Sequence, residues 1–192
     1  MTDIEIIVSL VVLLGSLLLA NIASNLADAL RARRDLPIGF VPWAINFYLT
    51  GAFVTGLSLF WIGREAVVFD VVVFVSQLAT WIPYIMVTRL LYPEHPDRWA
   101  SVEEYYIANR HLILGILLIG PTIFAFNLLY YDGTGSMTER VFGVGLGIVP
   151  VIITIGLLML TEKPKWHRAG WGFLITHRIV LMTWLAVVAG QQ

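Results

Sequence analysis

The residues with the most chemistry per position in this 192-residue sequence are His177 and Arg178, inside the stretch WGFLITHRIVLMTW at 171–184. An imidazole takes up and releases protons near neutral pH. A guanidinium is a permanent cation with five N–H donors in a rigid fork and no acceptor. Side by side, the two groups suit proton relay, anion binding or, for the imidazole, ligation of a haem iron. Trp171 and Trp184 bracket them in an otherwise apolar run. Such a pair needs elements that hold it there, and those elements can be read from the rest of the chain.

Hydrophobic residues make up 58% of the sequence and charged residues 13%. Soluble domains average about half and about a quarter. A water-soluble domain of this size has no means of hiding so much apolar surface, so the composition points to an all-α polytopic membrane protein. The net charge of −1 and the lack of any nucleic-acid motif give nucleic acid no foothold. There are no cysteines, which removes disulfides, thiolate metal sites and cysteine nucleophiles. The opening MTDIEIIVSL carries acids instead of a basic region and reads as a first span, not a signal peptide.

Crossing the hydrocarbon core takes roughly 20 apolar residues in a helix. Six stretches qualify, at about 4–29, 40–63, 66–88, 110–131, 138–161 and 170–190, making residues 1–192 one transmembrane bundle. Their unbroken apolar runs are twice the length of a barrel strand. Arg31, Arg33, Arg34, Arg89, Arg98, Arg110, Lys163, Lys165 and Arg168 fall in loops on one side, and only Arg64 and Arg140 on the other. The positive-inside rule makes the first side cytoplasmic and both termini non-cytoplasmic. Ser101 with Glu104 forms a capping box, so SVEEYYIANRH is expected to be a short helical extension on the cytoplasmic side, leading into the fourth span.

Span length places the opening pair. From 179 to 190 the sixth run holds only twelve residues, about 18 Å of helix, too short for a core of roughly 30 Å. His177 and Arg178 therefore lie inside the membrane, in its cytoplasmic half. An unpaired arginine there costs from a few to more than about ten kcal/mol. Asn21, Asn25 and Asp28 share one face of the first span at i, i+4, i+7, and the expected partner of Arg178 is Asp28, directly or through Asn25. Asn46, Tyr84 and His111 stand at the same cytoplasmic level, Gln77 lies near the midplane, and Asp70 and Asn127 are on the outer side. This bias implies a polar cavity opening to the cytoplasm.

Other features carry simpler readings. A b-type haem between His111 and His177 is disfavoured, because the two differ in height by roughly 7–9 Å, and no cofactor is expected. Glu103 and Glu104 point about 100° apart on a helix and make no metal site. His95 and His167, in basic loops rich in tryptophan, read as solvated or facing lipid headgroups. Gly143, Gly145 and Gly147 form a small-residue packing face, inside the bundle or between copies of the chain. Pro83, Pro121 and Pro150 interrupt spans and free backbone carbonyls.

Several stretches together resemble an uncharacterised family of small bacterial multi-helix membrane proteins. They are Gly15-Ser16 with the arginine frame at 31–34, FVPWAINFYLTG followed by LFW, WIPYIMVTRLLYPE and EEYYIANRHLILG, covering about the first two-thirds of the chain. The resemblance implies a multi-pass protein of the bacterial inner membrane and carries no activity with it. The expected function is a small channel or transporter for an anion or protons, with Arg178, His177, Asp28, Asn25 and Asn21 at its centre. The alternatives are an enzyme or sensor for a lipid or other hydrophobic ligand, and a structural subunit. Expected partners are membrane lipids and either further copies of the chain or other subunits of a membrane complex.

Overall fold

The computed structural model describes residues 3–31, 36–62, 71–130 and 136–189. Arg33, Arg34, Arg64 and Asp70 lie outside the described residues. The described chain is helical throughout, with no strand: α1 (Asp3–Arg31), α2 (Phe40–Ile62), α3 (Val71–Leu90), a 3₁₀ turn (Pro96–Arg98), α4 (Val102–Ala108), α5 (Arg110–Tyr130), α6 (Met137–Gly147), α7 (Val149–Met159) and α8 (Pro164–Ala189). Five segments are long and apolar enough to cross a membrane: Val8–Arg31, Phe40–Ser58, Arg110–Tyr130, Arg140–Met159 and Pro164–Val187. That makes the chain consistent with a multi-pass membrane protein. Helix α3 occupies the place of the third expected span, of which residues 66–70 lie outside the described set.

Helix α1 shows how one apolar run serves two environments. It buries Val11, Leu14, Leu18 and Ile22, spaced three and four residues apart on one face, and leaves Leu13 and Leu17 open on the other. In water that open face would be a liability; against lipid it is ordinary surface. The long helices are arranged in a ring. Helix α1 packs on α2 and α3, α3 on α5, α5 on α7, α7 on α8, and α8 on α2, which closes the circuit. Large rings fill the interior: Phe53 and Tyr84 both meet Trp81 edge-on, and Tyr48 meets Trp171 the same way at 5.7 Å.

Two helix boundaries differ from expectation. The run at 138–161 is two helices, α6 and α7, that break at Ile148, because Pro150 has no N–H to continue the ladder. The last helix begins at Pro164, not near 170. Proline suits a first helical position, and the extra turn carries His167 onto α4.

Helix α4 ties one end of the ring together. Ser101 Oγ accepts from Glu104 N at 3.0 Å, and Glu104 accepts from Ala100 N at 2.9 Å, so the capping pair forms as its spacing requires. Glu103 turns the other way and is buried. One carboxylate oxygen accepts the Phe40 N–H at the start of α2 (3.1 Å), and the other takes Arg168 Nε from α8 (2.7 Å). Gly39 makes this approach possible. Its φ of +77° is left-handed, and a methyl group there would overlap the Glu103 carboxylate.

Gly39→Ala should therefore lower stability by at least about 1–2 kcal/mol from backbone strain alone, read as a drop in melting temperature of the detergent-purified protein. A melting temperature equal to wild type would show that the α2–α4 junction is not held in this way.

Candidate functional site

A backbone N–H or C=O left unpaired away from water is costly, and helix ends and proline breaks leave several. Several of the polar side chains inside the bundle answer such a group. Asn25 Nδ2 on α1 donates to the carbonyl of Thr88, near the end of α3, at 2.7 Å. Arg110 donates to the Ile107 carbonyl at the end of α4 (3.0 Å) and to that of Met159 at the end of α7 (3.4 Å), and pairs with Glu162 at 2.8 Å. Arg140 donates to the Leu129 carbonyl near the end of α5 at 3.2 Å.

His177 belongs to the same set. Pro150 leaves the carbonyl four residues earlier, that of Leu146, without its helical donor. His177 Nε2 lies 2.8 Å from that oxygen. A carbonyl only accepts, so the proton sits on Nε2, and Nδ1 is a buried atom with no protein partner. Phe173 stacks on the ring from one turn below.

At the α4 end lies a second chain of bonds with a fixed direction. Trp171 Nε1 donates to the Tyr106 hydroxyl at 3.0 Å, and that hydroxyl donates to His167 Nδ1 at 3.0 Å. His167 Nε2–H is then left to donate to the Thr161 carbonyl at 2.9 Å. Burial pushes the Tyr106 phenol well above its ordinary pKa, which keeps it a donor. Trp171, Tyr106 and His167 are all fully buried. The expectation for His167, a solvated loop residue, is thus corrected: α8 starts early and folds it inward. His95 is exposed, as expected. The level where a polar cavity was expected to open is filled by these rings.

Arg178 serves no backbone group. Its Nη2 donates to the Tyr48 hydroxyl of α2 at 3.0 Å, and its guanidinium lies 4.8 Å from the centre of the Tyr48 ring. Its stem crosses α2 at Gly51, where a Cβ would stand 2.9 Å from Arg178 Cγ. Nε is buried and has no acceptor. The expected pairing with Asp28 does not form. Asp28 is exposed and bonded to Arg31 at 2.9 Å, and α2 stands between α1 and α8 in the ring. Among the described residues no carboxylate pairs with Arg178; the ion pairs are Asp28–Arg31, Glu162–Arg110 and Glu103–Arg168.

Of the remaining expected site residues, Tyr84 is buried between Trp81 and Gly120 of α5. Asn46 is buried and donates to the Tyr92 hydroxyl at 2.8 Å, with its Oδ1 unpartnered. Gln77 accepts from Trp81 Nε1 at 3.3 Å, Asn21 is buried on α1, and His111 is exposed at the start of α5. Tyr48, Gly51 and Glu103 were not picked out by sequence reasoning as site residues. Tyr48 and Gly51 stand one turn apart on one face of α2, a spacing that offers a hydroxyl beside a gap in the helix surface.

The fold and this centre describe a helical bundle, consistent with a multi-pass membrane protein, in which a half-buried arginine pairs with no carboxylate among the described residues. No family model, curated protein or solved structure matches the chain.

The pairing of His177 with the proline break has a double-mutant test. His177→Phe should cost roughly 1–3 kcal/mol by leaving the Leu146 carbonyl unpaired. Pro150→Ala restores an N–H four residues on, and in that background the same change should cost markedly less. Equal costs in the two backgrounds would show that the bond does not compensate for the proline.

Proposed function

We propose that this chain is a six-span protein of the bacterial inner membrane, with both termini outside, that recognises an anion inside the bilayer as a small transporter or channel. Arg178 is its selective residue. The observation that carries the reading is the guanidinium with donor capacity to spare and no carboxylate to neutralise it. An intramembrane cation is costly unless something compensates it, and a site built to receive an anion leaves that compensation to the ligand. His177 and Asn46 each keep one unpartnered atom but are neutral groups, which leaves Arg178 as the cation free to act. Tyr48 contributes in three ways. Its oxygen accepts from Arg178, its ring lies against the guanidinium, and its own O–H remains to donate.

In this conformation Trp171, Tyr106 and His167 block the approach from the α4 end, which the loop arginines and lysines make the cytoplasmic one. Transport then requires that plug to shift. The hydrogen-bonded chain through Tyr106 is the element that would have to open, which makes gating a matter of breaking two or three bonds together.

Flux measurements in proteoliposomes test this. Wild-type protein should carry chloride, nitrate or acetate measurably above empty vesicles. Arg178→Ala should reduce that flux at least tenfold, and Asp28→Asn should leave it unchanged. Flux that is indifferent to Arg178, or lost with Asp28, would overturn the assignment.

A further inference from the structure

We infer that the Arg178 centre takes the oxyanion headgroup, carboxylate or phosphate, of an amphiphile that arrives from within the bilayer. The inference rests on the reading of Arg178 as an anion-recognising residue and specifies what that anion is. Three observations point the same way. The first is the donor set. Arg178 Nε–H is buried with no acceptor, and the Tyr48 hydroxyl keeps its own hydrogen after accepting from Nη2. Guanidinium N–H groups lie in one plane at fixed spacing, the geometry that carboxylate and phosphate oxygens match.

The second observation is the route. Leu174 and Trp171, one and two turns before Arg178 on α8, are fully buried, and Tyr106 and His167 lie beyond them. A hydrated ion therefore meets packed aromatic rings at the α4 end. Arg178 itself is only partly buried, at the seam where α8 meets α2. On Arg178's own side of α8, Ile175, Leu181 and Met182 are likewise only half-buried. The partly open seam is thus flanked by apolar side chains.

The third observation is the wall. The Tyr48 ring stands against the guanidinium, Gly51 against the Arg178 stem, and the Met182 sulfur beside Gly51. Apart from the Tyr48 hydroxyl these are apolar surfaces. They can cover a hydrocarbon chain as well, which adds binding that a small ion does not gain. An amphiphile keeps its tail in lipid and gives up solvent only at its headgroup.

The full-length protein in nonionic detergent provides the test, with tryptophan fluorescence as the readout. The probes are a brominated octadecanoic acid, the matching brominated alcohol, a brominated phosphatidic acid, and acetate and chloride as soluble anions. Quenching by the acid or by phosphatidic acid should saturate, and whichever binds more tightly identifies a free carboxylate or a phospholipid as the source. The alcohol should bind at least tenfold more weakly. Arg178→Met should weaken the preferred amphiphile at least tenfold, and Arg178→Lys, which keeps the charge but loses the planar fork, should fall between. If Arg178→Met does not fold, Arg178→Lys and Tyr48→Phe carry the comparison. Equal quenching by acid and alcohol, or amphiphile binding unchanged in these variants, overturns the inference. Arg178-dependent binding of acetate or chloride without any for the amphiphiles also overturns it, while leaving the anion reading intact. No Arg178 dependence for any probe removes both.

Discussion

Every backbone polar group that lies away from water must find a partner inside the protein, and in this bundle that requirement decides what several of the interior polar side chains do. A continuous helix meets it alone; an end or a proline break does not. The described chain has several such places, at the ends of α3, α4, α5 and α7 and at the α6–α7 break. Each is met by a side chain from elsewhere: Asn25 to Thr88, Arg110 to Ile107 and Met159, Arg140 to Leu129, His177 to Leu146. These bonds join helices that a purely apolar interface would leave free to slide, because lipid is as good a partner for leucine as another helix is. The same requirement isolates Arg178, whose hydrogen bond goes to a phenol and closes no gap in the backbone ladder.

The α4 end gains rigidity from a different combination. Glu103 joins α4, α2 and α8 through one carboxylate, and Tyr106 joins α4 to α8 through a buried imidazole and indole. Arg168 is exposed while Glu103 is 5% exposed, so the ion pair sits at the rim with its acid inside. Such a pair gains little from its charge alone in contact with solvent. Its value lies in the second acceptor oxygen, which caps α2 where no side chain of its own does.

Helix content was legible in the sequence, because it follows from counting apolar residues along a run. The Ser101–Glu104 cap was legible for the same local reason. Pro150 was seen to free a carbonyl, and His177 was seen to need a role; that each answers the other depends on α8 lying beside the α6–α7 break, which spacing along the chain does not encode. The Asp28 pairing failed on the same ground: depth placed the two residues at one level, but α2 separates their helices. His167 was misjudged because its neighbours are charged, and a helix that begins six residues early turns it inward. Glu103 was set aside as half of a pair that diverges. Divergence is what lets it reach α2 while Glu104 caps α4.

The ring order has a consequence for how the protein is made. Helix α2 finds its most extensive neighbour in α8, which is synthesised more than a hundred residues later. Until then the face of α2 that bears Tyr48 and Gly51 has only lipid or the insertion machinery to rest on. Helices α1, α3 and α5 can assemble in order as they emerge, but the interior cannot close until α8 docks between α7 and α2. Docking of α8 therefore seats Arg178, Trp171 and His167 in one event, and a ribosome stalled in the α7–α8 loop would leave an open arc of helices.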